Sequence, residues 1–258
     1  MKDKSRRISE AELKTGAGPA AHPPRIWEID FLRGLSIILM VFYHLFYDLW
    51  ALSGISKFLG VSIVLSNVYW TVAQYFFAGL FIVLSGISST LTRNNIRRAL
   101  KLFAFAIVVT VATYVFDASS AILFGILHCL TVCILIYGLT LERSGPATCA
   151  YAGTAVLGLS VAVSLAMKQA TVRFDWLLPL GIHRPSYSAA DYFPLLPWLG
   201  VFLVGTALGK SVYAKKRSLI PRQWPMTFIN IAGRHSLLIY MVHQPIILAG
   251  LYLLGLLR

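Results

Sequence analysis

Charged residues are scarce in this 258-residue sequence, which has 10 acidic residues against 23 Lys and Arg. Charged side chains make up 13% of the chain and apolar ones 57%, with a mean hydropathy of +0.72. Soluble domains usually carry about 25% charged residues. The composition therefore excludes an ordinary soluble domain and predicts a membrane protein.

Cysteine is also scarce, with three residues at Cys129, Cys133 and Cys149. All three lie in apolar segments and show no metal-ligand spacing with the histidines. This pattern excludes a disulfide framework and a zinc site, and we predict no bound metal.

The first 24 residues contain no apolar core, so they lack the central region of a secretory signal peptide. We expect residues 1–24 to form a disordered cytoplasmic tail. No internal repeat or composition break divides the remainder, so residues 25–258 are predicted to form one transmembrane domain.

Long apolar runs organise this domain, because a helix needs about 20 apolar residues to cross the hydrocarbon core. We predict an all-α, polytopic membrane helix bundle of about seven transmembrane helices. The shorter run 59–65 is expected to be interfacial or re-entrant, and the prolines before Trp198 predict a bend in the sixth span. The predicted spans are Phe31–Trp50, Tyr69–Leu91, Leu100–Phe116, Ala121–Leu141, Ala147–Met167, Tyr192–Tyr213 and Phe228–Leu257.

The basic residues collect in the amino-terminal tail and in two connections, 93–101 and 210–222. If these segments are cytoplasmic, all seven spans alternate consistently and the amino terminus lies inside. Membrane topology thus explains the net charge of +13, and nucleic acid is not expected as a partner.

A row of polar residues follows the first span: Asp30, Arg33, His44 and Asp48. At about 100° per residue they share one helix face, with Arg33 about 16 Å from His44 along the axis. Ionisable groups at membrane depth cost at least about 2.5 kcal/mol and usually face a bundle interior or a wet cavity. For Asp30 and Arg33, near the interface, an ion pair or helix cap is as good an explanation as function.

The deeper part of the row favours a functional interpretation. Asp48 follows His44 by one turn, so its carboxylate is predicted to orient the imidazole in an acid/base pair.

The segment Ile29–Gly34, followed by ten residues and His44, resembles the first-helix signature of the transmembrane acyltransferase superfamily. The spacing of Arg, ten residues and His is typical of its bacterial membrane O-acetyltransferases. Two later segments, Asp191–Gly200 and Gly233–Pro245, are similar to the heparan-alpha-glucosaminide N-acetyltransferase catalytic-domain family. Together the matches run from about Arg25 to the end of the chain.

The resemblance implies a membrane enzyme that takes an acyl group, usually acetyl from acetyl-CoA on the cytoplasmic side, and transfers it to a hydroxyl or amine of a glycan. It implies functional roles for Arg33 and His44, and a location in the bacterial inner membrane. His44 would act as a general base or as a nucleophile that forms an acyl-histidine, and the sequence does not separate these two. Acyl-CoA, a glycan or lipid-linked sugar acceptor and membrane lipids are the expected partners, and a homodimer stays open.

Basic residues near the predicted cytoplasmic side are candidates for contacts with the CoA phosphates, although a topology signal also explains those outside the first span. They are Arg33, Arg97, Arg98, Lys101 and Arg234.

Four residues in the two later segments are candidates for contacts with the acceptor. Tyr240 and His243 share a helix face with Ser236, a pattern that interhelical hydrogen bonding explains equally well. The four are Asp191, Trp198, Tyr240 and His243.

Two other classes of protein stay open. A transporter or flippase would use the polar row as a translocation path or proton relay, and a noncatalytic scaffold would use it to hold helices together. No broken-helix pair supports transport, whereas three motifs in the expected order favour acyl transfer.

Overall fold

The computed structural model describes residues 26–58, 60–64, 67–119, 121–168, 172–187, 189, 191–220 and 227–256. The tail predicted over residues 1–24 lies outside these ranges. The α-helices of the described residues are α1 (Trp27–Ala51), α2 (Val68–Leu91), α3 (Asn95–Phe116), α4 (Ile126–Ile136, continued by a π-helical turn over Tyr137–Leu141), α5 (Pro146–Met167), α6 (Leu195–Val212), α7 (Thr227–Arg234) and α8 (Ser236–Leu253), and Leu178–Leu180 forms a 3-10 turn.

The predicted polytopic helix bundle is confirmed. Six helices, α1, α2, α3, α5, α6 and α8, are long and apolar enough to cross a membrane, and the apolar helix Ile126–Leu141 is shorter. The chain is therefore a multi-pass membrane protein.

The fourth helix begins at Ile126 rather than at the predicted Ala121. Gly125 is extended, and two side chains accept the N–H groups at this point. Nδ1 of His128 accepts the N–H of Gly125 at 3.3 Å, and Oδ2 of Asp191 accepts that of Ile126 at 3.2 Å. These caps, rather than apolar content, decide where α4 starts.

The last predicted run, Phe228–Leu257, is longer than one crossing requires, and Gly233–His235 is the stretch where the sequence allows the span to begin. The structure divides the run at His235, and the spanning helix begins at Ser236. The segment before the break, α7, lies directly against α1 where glycines meet. A Cβ on Gly34 would lie 2.9 Å from the nitrogen of Gly233, and a Cβ on Gly233 would lie 2.7 Å from the carbonyl carbon of Asp30. Both glycines are needed for this contact.

Two smaller features agree with the sequence. The described residues of the short apolar piece after α1, 60–64, form no helix, and Val61–Ser62 pairs antiparallel with Lys57–Phe58. Helix α6 bends at its start, where Leu196 has non-helical angles (φ −98°, ψ 117°) beside Pro197.

One end of the bundle gathers the termini of several helices. Nζ of Lys210, late in α6, donates to the carbonyls of Leu141 and Glu142 at 2.9 Å each, and Trp27 at the start of α1 donates to the carbonyl of Ile220 at 3.0 Å. We call this end, where α1 and α3 begin and α2 and α6 finish, the basic end.

Candidate active site

Two residues of the polar row of α1, Arg33 and His44, line two adjoining cavities inside the bundle. Arg33 lines the larger cavity, which is closer to the basic end, and His44 lines the smaller one. Arg33 and His44, which the sequence places at different depths along α1, thus lie in different cavities.

The larger cavity has a volume of about 350 Å³. Cationic side chains and hydroxyl groups supply most of its polar lining. A cavity with this excess of positive charge attracts anionic groups. Its lining residues are Arg33, Phe81, Ser85, Ser88, Thr92, Arg98, Lys101, Leu102, Leu127, Leu130, Gly233, Arg234, Ser236, Leu237 and Tyr240.

Serine hydroxyls of α2 hold two guanidinium groups in the larger cavity. Arg33 donates from Nη2 to Oγ of Ser88 at 2.5 Å. Arg98 donates to Oγ of Ser89 at 2.9 Å and to Oγ of Ser85 at 3.0 Å. Because a hydroxyl is uncharged, it fixes the orientation of the guanidinium group without neutralising its positive charge.

The sequence interpretation missed these serines, although α2 carries a readable signal. Ser85, Ser88, Ser89 and Thr92 follow i, i+3, i+4 and i+7 spacing, which places them on one face of a helix. An apolar span with such a polar stripe indicates a helix that faces a polar interior.

Asp30 joins α1 to α7 at the edge of the larger cavity. Its Oδ1 lies 3.4 Å from Nη1 of Arg33, and its Oδ2 lies 3.4 Å from Nε of Arg234. The carboxylate thus connects two lining cations, which agrees with the ion-pair interpretation of Asp30.

The smaller cavity, about 60 Å³, lies deeper along α1 and has room for a few water-sized groups. Phe81 and Tyr240 line both cavities, so they form the wall between them. Tyr43 and Gln74, which the sequence analysis did not select, are joined by a 3.1 Å hydrogen bond beside His44. The lining residues are Ser36, Ile37, Met40, Tyr43, His44, Gln74, Phe77, Ala78, Phe81, Ile126, Asp191, Phe193 and Tyr240.

Asp191 is a buried carboxylate in the wall of the smaller cavity. Its Oδ2 accepts the hydroxyl of Tyr240 at 2.5 Å and the N–H of Ile126 at 3.2 Å. Burial raises the pKa of Asp191, while these two hydrogen bonds act in the opposite direction. Asp191 and Tyr240, both predicted from sequence, therefore lie together at the cavity that contains His44.

The predicted contact between His44 and Asp48 is wrong. Oδ2 of Asp48 accepts a hydrogen bond from Nε2 of Gln244 at 2.7 Å, and no hydrogen bond in the described part of the chain joins Asp48 to His44. A buried carboxylate needs donors, and here α8 supplies one that helical spacing along α1 does not reveal. The ring beside His44 is that of His243, with centroids 4.9 Å apart.

Five predicted site residues line neither cavity: Asp30, Asp48, Arg97, Trp198 and His243. Arg97 is exposed at the start of α3, about 100° around the helix from Arg98. Trp198 is buried in the core, where its ring stacks on Tyr75 at 5.9 Å and contacts Phe193 at 5.3 Å. Lys101 and Arg234, two of the sequence candidates for contacts with CoA, line the larger cavity.

Within the ranges that the structure describes, no three His, Cys, Asp or Glu residues lie close enough to hold a metal ion. The chemistry that this arrangement supports is acid/base or nucleophilic chemistry at His44, next to a cationic cavity.

The fold and the cavities define a multi-pass membrane protein with a polar site inside its helix bundle. Residues 25–245 match the family described as heparan-alpha-glucosaminide N-acetyltransferase, catalytic. The chain belongs to this family and is thus a membrane acetyltransferase in general terms. Comparisons with curated proteins and with solved structures returned no match.

Proposed function

We propose that the protein transfers an acetyl or other acyl group from cytoplasmic acyl-CoA to a hydroxyl or amine of an extracytoplasmic or lipid-linked glycan. The observation that carries this proposal is the pair of adjoining cavities, one cationic and one containing His44. A donor with phosphates at one end and a reactive thioester at the other requires these two environments in this order.

In this proposal the basic end faces the cytoplasm of a bacterial inner membrane. Residues 93–101 and 210–220, the described parts of the two basic connections, lie at that end, which is the arrangement that the positive-inside rule favours. The phosphates of acyl-CoA would then meet Arg33, Arg98, Lys101 and Arg234 without crossing the membrane. Charge-assisted hydrogen bonds from guanidinium groups suit phosphate oxygens.

The thioester would extend past Phe81 and Tyr240 towards His44. The acceptor oxygen or nitrogen forms a bond to the thioester carbonyl carbon, and His44 removes the acceptor proton. The carbon–sulfur bond breaks, and the thiolate of CoA takes up one proton, so the products are the acetylated acceptor and CoA. In a second route His44 itself accepts the acetyl group and passes it on.

Acetyl transfer in lipid nanodiscs tests this proposal. The purified protein would be incubated with radiolabelled acetyl-CoA and three acceptors: glucosamine, N-acetylglucosamine and a polyprenyl-linked sugar. We expect label in at least one acceptor and stoichiometric release of CoA. Label retained on the protein, and lost in His44→Ala, would select the acyl-histidine route.

The matched variants are His44→Ala and Phe42→Ala. Phe42 lies two residues earlier on α1 with 51% of its surface exposed, so its removal does not alter either cavity. His44→Ala should lower transfer at least about 100-fold, whereas Phe42→Ala should retain it. Flipping of the polyprenyl-linked sugar without CoA release would favour a flippase instead.

A further inference from the structure

His243 is a buried histidine on α8 for which the proposed reaction has no role so far. Its exposed fraction is 8%. Its ring centroid lies 4.9 Å from that of His44 on α1, with an angle of 59° between the planes. Two histidines from different helices therefore meet in the interior of the bundle.

The hydrogen bond at Nδ1 fixes the tautomer of His243. Nδ1 lies 2.7 Å from the carbonyl oxygen of Tyr240, and a carbonyl oxygen only accepts, so Nδ1 carries the proton. The buried carboxylates of this region accept from other groups: Asp48 from Gln244 and Asp191 from Tyr240. No carboxylate or other described group accepts from Nε2, and a buried N–H without an acceptor is unfavourable. The ring is therefore neutral, and Nε2 has a lone pair and no proton.

Nε2 of His243 is fully buried, and no group in the described part of the chain donates to it. Buried polar atoms are nearly always paired, so an acceptor without a donor at this depth calls for an explanation. The neighbouring ring of His44 has access to the smaller cavity.

We propose that His243 is a positioning residue for His44. In the resting protein its Nε2 is an acceptor held in place by the Nδ1–H bond to the Tyr240 carbonyl. When His44 takes the proton of the acceptor, Nε2 of His243 accepts a hydrogen bond from an N–H of the resulting imidazolium. The positive charge on His44 is thereby stabilised inside the bundle, and the proton on His44 later goes to the CoA thiolate.

This role rests on the proposed acetyl transfer and adds to it a second histidine. It also accounts for the spacing of Tyr240 and His243 on α8, because the residue whose carbonyl orients His243 is also the residue whose ring separates the cavities. If His243 served only to hold helices together, its Nε2 would be expected to accept a permanent hydrogen bond.

Three variants of α8 test the proposal in the nanodisc assay. His243→Ala removes the acceptor, and His243→Gln replaces it with a neutral amide oxygen. Ile246→Ala is the control, since Ile246 is 64% exposed on the same helix. We expect His243→Ala to lower kcat about 10- to 100-fold with KM for acetyl-CoA nearly unchanged, His243→Gln to recover most of that loss, and Ile246→Ala to match the wild type.

A second measurement is independent of turnover. Nitrogen-15 NMR of the histidines should show one neutral ring protonated at Nδ1 whose signals vanish in His243→Gln. An Nε2-protonated tautomer would overturn the proposal, as would a kcat for His243→Ala equal to that of the control, or a His243→Gln variant as slow as His243→Ala. A wild-type protein that acetylates no acceptor would overturn the proposed function and this role with it, whereas normal transfer in both His243 variants would overturn this role alone.

Discussion

The hydroxyl of Tyr240 donates to Oδ2 of Asp191 at 2.5 Å, and the same oxygen accepts the N–H of Ile126. One carboxylate therefore holds the wall between the two cavities and the first turn of α4. Asp191 precedes α6 in the chain, so three helices, α4, α6 and α8, depend on this residue for their relative placement.

The Asp191 carboxyl should give the stability of the protein a defined pH dependence. Burial raises its pKa above the ordinary value of about 3.9. The folded state then binds the proton more tightly than the unfolded state, so this group contributes stability at low pH that is lost as the pH rises through the folded pKa. The Tm of the wild type minus that of Asp191→Asn should fall from about pH 4 to pH 8.

Asp175→Asn is the control for this measurement, which thermal unfolding in detergent micelles would provide. The hydrogen bond from Arg184 lowers the pKa of Asp175 on an exposed loop. Its contribution changes only below about pH 4, so the corresponding Tm difference should be flat over the tested range. A difference for Asp191→Asn that increases with pH would contradict the raised pKa.

The all-helical, multi-pass architecture and the order of the polar residues along the first helix followed from sequence, because span length and the 3.6-residue repeat are local properties. Arg33 and His44 were assigned to different depths, and each lines its own cavity. The partner of Asp48 could not be predicted in the same way. Gln244 lies 196 residues further along the chain, and only the packing of α8 on α1 brings the two together.

The start of α4 illustrates a second limit of the sequence. Residues 121–125 are as apolar as the helix that follows, so a hydropathy pattern joins them. The boundary is set by acceptors from His128 and Asp191, one of which comes from a distant segment. By contrast, the serine stripe of α2 was available in the sequence and was overlooked because each serine alone is unremarkable in a membrane helix.

Arg98 should govern the affinity for acyl-CoA in the proposed reaction. Its guanidinium is fixed by Ser85 and Ser89 in the larger cavity, whereas Arg93 is exposed in the preceding connection. Arg98→Gln should raise KM for acetyl-CoA about 10- to 100-fold, as expected for the loss of a charged hydrogen bond worth about 1.5–3 kcal/mol. Arg93→Gln removes the same charge, and an equal rise in its KM would show that the cavity has no special role.

The glycine contact between α1 and α7 should tolerate no side chain. Gly34→Ala and Gly233→Ala each force a methyl group against the backbone of the other helix, and such overpacking typically costs about 1–3 kcal/mol. We expect a large fall in Tm for both variants. Gly250→Ala, with no atom within 4 Å of the added carbon, should be neutral or slightly stabilising, and equal Tm values for all three would contradict the close approach.

The two interpretations of Asp48 make opposite predictions in double-mutant cycles. The hydrogen bond at 2.7 Å joins Asp48 to Gln244, so the effects of Asp48→Ala and Gln244→Ala on the free energy of unfolding should be coupled by about 1–3 kcal/mol. The cycle of Asp48→Ala with His44→Ala should be additive within about 0.5 kcal/mol, because these side chains share no hydrogen bond. Denaturant titration in micelles measures both cycles. Strong coupling of Asp48 to His44, with none to Gln244, would support the acid/base pair that helical spacing predicts. The expected result leaves His243 as the neighbour on which His44 depends.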